Sequence, residues 1–247
     1  MKLLPAIALS LAAAGACAQG EPEAYIFSPL VEAGEREIDS KAGLARDRDG
    51  RSYWGASVGL SYGLTSWWAA ELTAKWRRDV GERAGYDAWE WENRFQLTPT
   101  GAWPFELGLL VELERPRDAA EGWELNYGPL LQMEPTLAGM PLRLNFNAIF
   151  QRRWHADEPA PTTLQLQWQL RTRRGEEAID VGLQGFDHVG PWDDWAPRSR
   201  QSHVLGPALF GEFELAGTEV KWELGALFGT GGVAPKTTLR TQAEIEF

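Results

Sequence analysis

From Gly34 to Phe247 apolar and polar side chains alternate residue by residue, and the alternation resumes after each polar break. Successive side chains of a β-strand point to opposite faces, so a period of two specifies strands with one apolar and one polar face. Tyr53 to Leu64 places Trp54, Ala56, Val58, Leu60, Tyr62 and Leu64 on one face, against Ser57, Gly59, Ser61 and Gly63. The final stretch sets Leu239, Thr241, Ala243, Ile245 and Phe247 against Thr238, Arg240, Gln242, Glu244 and Glu246.

The pattern divides into about twelve strands of roughly ten to thirteen residues, enough for a tilted strand to cross a hydrocarbon layer. Strands of soluble sandwiches are about half as long. An unpaired backbone group in lipid costs several kcal/mol, so a sheet there must close on itself. The Leu/Trp/Phe face must then meet lipid and the Glu/Gln/Arg face must line the interior. The opposite packing would force twelve rows of large side chains into one barrel, which overfills it. The fold class expected is all-β, a transmembrane antiparallel up-and-down barrel over 34–247. Connections after even-numbered strands read as short and those after odd-numbered strands as longer, the longest being Phe186 to Ser202. Trp54, Trp76, Trp89, Trp123 and Trp154 fall at one strand end, and Trp67, Trp68 and Trp103 at the other, as in interfacial aromatic belts.

The alternating strand that ends on Phe247, with the long strand array before it, resembles the outer-membrane β-barrel proteins of Gram-negative bacteria. The resemblance implies that Phe247 is a C-terminal assembly signal read by the barrel-assembly machinery. It implies short turns on the periplasmic side, longer loops outside, a monomer, and partners in the lipid bilayer and lipopolysaccharide.

The start of the chain fits export. Lys2, the apolar run Leu3 to Gly15 and the Ala16-Cys17-Ala18 site read as a signal peptide over 1–18, cleaved after Ala18. The single cysteine then leaves with it, which excludes disulfides and thiolate chemistry from the mature chain. Residues 19–33, carrying Pro22 and Pro29, read as a periplasmic lead-in or small plug. Mean hydropathy is below zero and no long apolar helix follows the signal, as half-apolar strands require. A net charge of -11 argues against nucleic acid as a partner.

The residues expected to line the lumen are Glu37, Asp39, Lys41, Glu71, Lys75, Glu90, Glu92, Arg94, Glu112, Glu114, Glu124, Arg143, Arg171, Glu212, Glu214, Lys221, Glu223, Arg240 and Glu244. Acids dominate, so the reading favoured is a narrow channel that prefers cations and passes small polar solutes. The alternative is a lumen filled by its own ion pairs, a non-conducting barrel with a structural or envelope-complex role. A second alternative is a hydrolase at the rim, built on Ser202 and His203. Those two are adjacent in sequence, so their side chains point to opposite faces. His155 and His188 read as loop residues beside acids, solvated rather than metal-binding. No cofactor and no metal site are expected.

Overall fold

The computed structural model describes residues 21–175, 178–215 and 217–247. The signal peptide expected over 1–18 lies outside the described residues. Strands run in the order β1 (Arg36–Arg46), β2 (Ser52–Thr65), β3 (Trp68–Arg78), β4 (Gly85–Gln96), β5 (Glu106–Pro116), β6 (Trp123–Met133), β7 (Thr136–Leu137), β8 (Met140–Trp154), β9 (Thr163–Thr172), β10 (Asp180–Pro191), β11 (Ser202–Leu215), β12 (Thr218–Gly232) and β13 (Thr237–Glu246). Each long strand pairs antiparallel with its neighbour in sequence. β1 pairs with β13 and β6 with β8, which closes a 12-stranded barrel; β7 only extends one hairpin against the start of β8.

Burial follows the two faces. Leu60, Leu72 and Leu239 are each more than half exposed on the outside. Glu92 and Glu124, at 1% and 2%, are hidden within. An apolar exterior around a charged interior inverts a soluble protein and is stable only when the outside meets hydrocarbon. Aromatic side chains gather at both rims. Trp89 meets Trp123 edge-on at 5.7 Å and Trp76 meets Tyr86 at 6.4 Å on one rim. Phe95 lies against both Trp67 and Trp68, at 6.2 and 6.1 Å, on the other.

Two strand limits differ from the sequence expectation. β5 starts at Glu106, not at Trp103, because Pro104 has no N–H for a ladder; the chain instead turns through 97–105, with the Leu107 N–H donating to Thr98 Oγ1 at 2.9 Å. β10 runs on to Pro191, so the expected long loop from Phe186 shrinks to 192–201. In this extension the polarity is reversed: Phe186 and His188 face in, and Asp187 pairs outward with His203. A reversed pattern does not read as a membrane strand. The contrast in connection length is also weaker than expected, since the long connection 97–105 lies at the mouth that carries the chain's C-terminus.

Leu72→Arg, mid-strand on the outer face, is expected to destabilise the barrel by about 2–4 kcal/mol, while Thr73→Ala on the inner face of the same strand changes stability by about 1 kcal/mol or less. Urea titration of the protein folded into lipid vesicles measures both.

Candidate functional site

The interior has two unlike walls. Along β1, β3, β4 and β5, inward positions stack carboxylates around two lysines. Lys41 Nζ lies 2.6 Å from Asp39 and 3.6 Å from Glu71. Lys75 Nζ lies 2.7 Å from Glu114 and 3.4 Å from Glu90. Arg94 pairs with Glu92 at 3.1 Å and reaches Glu37 at 3.9 Å. Further round, Glu124 on β6 takes Arg153 at 2.6 Å, and Asn126 donates to Glu112 at 2.5 Å. Removing charges from water is costly unless they are paired, and each of these bases has a carboxylate within ion-pair distance.

Residues 21–33 run through this charged interior. Glu21 is 2.9 Å from Lys75, near the far rim, and the Gly34 N–H donates to the Gly63 carbonyl at 2.8 Å, at the mouth where β1 begins. Residues 21–33 thus thread the lumen as an internal plug between the two rims. Tyr25 donates its hydroxyl to Glu92 at 2.5 Å, and Lys41 sits 3.4 Å from the Tyr25 ring centroid. Phe27 packs into an apolar patch of Leu110, Leu130 and Ile149, all facing inward. Asn147 holds the Phe27 carbonyl at 3.2 Å, Ser28 donates to Gln132 at 3.3 Å, and the Val31 N–H donates to Gln96 at 2.9 Å.

The barrel wall is shaped for the plug. A Cβ on Gly43 would overlap the Pro22 backbone, one on Gly55 the Glu23 carboxylate, and one on Gly63 the Glu32 carbonyl. Signals for this are present in the sequence. Leu109-Leu110, Leu130-Leu131 and Ala148-Ile149-Phe150 each break the alternation by placing an apolar residue on the inner face. The inner row of β2 is Gly55, Ser57, Gly59, Ser61 and Gly63, too small to fill a lumen alone.

Voids remain beside the plug. A cavity of about 720 Å³ reaches the mouth that bears the C-terminus, where Glu35, Arg173, Gly175 and Ala178 line it. A second hole, of about 30 Å³, lies toward the other rim between Glu21, Phe186, His188, Ser202 and Arg240. Among the expected lumen residues, Glu37, Asp39, Glu71, Arg94, Arg143, Arg171, Glu212, Lys221, Glu223 and Glu244 border the large cavity. Arg240 borders the small one. Lys41, Lys75, Glu90, Glu92, Glu112 and Glu114 are buried, and of these Lys41, Lys75 and Glu92 touch the plug. Glu214 is exposed at the end of β11. Between the voids, Gln184 is fully buried and neither of its amide atoms has a partner, and Arg240 Nε and Nη1 are likewise unpaired.

At the mouth, Glu32 and Glu35, which precede β1, and Glu246, the last residue of β13, bring carboxylate oxygens within 4.8 Å of one another. Burial, then the charges of Glu37 and Glu246, push the Glu35 carboxyl up to about 7. His188 lies in β10 facing the lumen, not in a loop, because the strand extends past it. His203 is held by Asp187 and Gln201, at 2.6 and 2.7 Å, while Ser202 is buried on the opposite face. The Phe247 N–H closes the last register on the Arg36 carbonyl at 3.0 Å, with its ring exposed.

No protein-family model matches the sequence. No curated protein matches it either. Solved structures do. An outer membrane channel from Pseudomonas putida F1 is 13% identical, with a TM-score of 0.59 over 88% of this chain and 97% of that one. The KdgM porin in complex with disordered oligogalacturonate is 11% identical, with a TM-score of 0.50 over 85% and 98%. Likeness at this identity establishes the fold, which is that of the outer-membrane β-barrels.

Phe27→Ala removes the plug's apolar anchor and is expected to weaken its seating by about 3 kcal/mol, on the order of a hundredfold in the unseated population. Maleimide labelling of a cysteine placed at Ser28 reads this directly. An unchanged labelling rate would show that Phe27 does not hold the segment.

Proposed function

We propose that this protein is an outer-membrane channel for small polar solutes that favours cations, with residues 21–33 restricting its lumen. The observation that supports the reading most is the polar cavity of about 720 Å³ that opens at one mouth and ends against the plug. A barrel that only filled itself would not need so large a solvated vestibule. Nine acids (Glu32, Glu35, Glu37, Asp39, Glu71, Asp180, Glu212, Glu223 and Glu244) border it, against the basic groups of Arg94, Arg143, Arg171, Arg173 and Lys221. That excess raises the local cation concentration. The similar structures include a channel and a porin by their names.

In this reading the signal is cleaved after Ala18 and the chain is a monomer in the outer membrane. The mouth with the C-terminus faces the periplasm, lipopolysaccharide surrounds the opposite rim, and the assembly machinery engages β13 through Phe247. No catalytic role is assigned. A second reading, a non-conducting structural barrel, has its own support in the density of plug contacts around Lys75, Glu92 and Phe27.

Planar-bilayer recordings of the chain 19–247 and of the chain 34–247 separate the two. Cation-favouring current that grows when 19–33 is removed supports a plugged channel. Silence from both folded barrels sinks it. A pH dependence also follows. Glu35 ionises only near pH 7 in the fold, against an ordinary 4.5, so its negative charge at the mouth is present above that pH and lost below it. The cation preference in a salt gradient is expected to fall between pH 8 and pH 6, and Glu35→Gln to flatten that change.

A further inference from the structure

The vestibule wall formed by β8 and β9 differs from the acidic remainder. Arg143 and Arg171 are direct cross-strand partners, both facing the cavity, and like charges in that arrangement repel. Arg143 is neutralised by Glu134 at 2.8 Å, and Arg173 pairs with the same carboxylate. Arg171 has no such partner: among the described residues no carboxylate lies within ion-pair distance of it, and its buried Nε is without a hydrogen bond. Its guanidinium carbon sits 4.9 Å from the Phe210 ring centroid. Stacking of that kind fixes the guanidinium plane while leaving N–H donors at its edge. The next inward pair on the same strands, Asn145 and Gln169, adds two carboxamides to the wall.

We infer that Arg171 is the centre of an oxyanion-binding subsite in the vestibule, which takes a small solute through a single carboxylate or phosphate group. A guanidinium kept charged, oriented by an aromatic face and left without a carboxylate of its own is a receptor for a planar or tetrahedral oxyanion. The acids across the cavity, Glu37 and Glu244 among them, disfavour solutes with several negative charges and accept a positive group on the same molecule. The site does not depend on conduction, since a vestibule that dead-ends at the plug still exposes Arg171.

The test is calorimetric titration of the folded chain 19–247 in detergent with sodium gluconate, inorganic phosphate and sodium chloride in separate runs. Binding of gluconate, phosphate or both that exceeds chloride is expected, and whichever binds names the group. Arg171→Gln is expected to weaken it by roughly tenfold or more, the loss of a charge-assisted hydrogen-bonded pair. Arg198→Gln, in the outer loop 192–201, leaves it unchanged. Phenylglyoxal modification of the unsubstituted chain, read at Arg171 by mass spectrometry, gives a second measure: the binding oxyanion slows it and chloride does not. No oxyanion binding, binding equal to chloride, or equal weakening by Arg198→Gln would overturn the subsite while leaving the channel reading to its own electrical test.

Discussion

Everything in this molecule follows from the need to satisfy each backbone N–H and C=O at a depth where no water is available. β1 meets β13 over ten consecutive partners, from Glu37↔Glu246 to Arg46↔Thr237, and that seam removes the last edge. Closure then sorts the side chains. One face of each strand turns to hydrocarbon, and the charges that keep the chain soluble before insertion have only the interior left. A polar lumen is thus the consequence of closing this sequence, whatever passes through it.

A lumen packed with carboxylates brings its own electrostatic difficulty, and the plug answers part of it. Lys41 and Lys75 each sit among several acids, and Glu21 adds one more to the Lys75 group. What the plug contributes is hydrogen bonding, through Tyr25 to Glu92, and apolar burial, through Phe27 against Leu110, Leu130 and Ile149. Salt weakens the exposed ion pairs and leaves the Phe27 contact in place. The two kinds of anchor therefore respond differently to the medium.

The barrel was legible in the sequence because a period of two repeated over twelve strands leaves few alternatives. The inner and outer faces followed from lipid physics alone. Less legible was the end of β10, where Phe186 and Asp187 reverse the usual polarity because Phe186 faces the lumen beneath the Arg240 guanidinium, 4.6 Å away. The plug's position was open to sequence only indirectly. Residues 21–33 form no strand, and their placement depends on contacts with residues far away in the chain, such as Asn147 with Phe27. The paired leucines at 109–110 and 130–131 carried that information as departures from alternation. Which lumen acids face the plug and which face water was not readable at all, because that division belongs to the plug's path rather than to any strand.

That path also links the two halves of the interior. Tyr25, Ile26, Ser28 and Leu30 form one wall of the large cavity while neighbouring Phe27 faces the apolar patch. A solute in the vestibule touches the plug itself. By linkage, any solute that contacts the seated plug more favourably than the unseated one stabilises closure, and one that needs its space favours opening by the same free energy. Gly43, Gly55 and Gly63 make the seated state sharp, since a wall with no side chains at those positions admits the Pro22 backbone, the Glu23 carboxylate and the Glu32 carbonyl at fixed places. A bulkier row there would have left a loosely held segment and a graded occlusion. The small row instead gives the lumen a plug with one well-defined seat, and so a seat that vestibule chemistry is placed to bias.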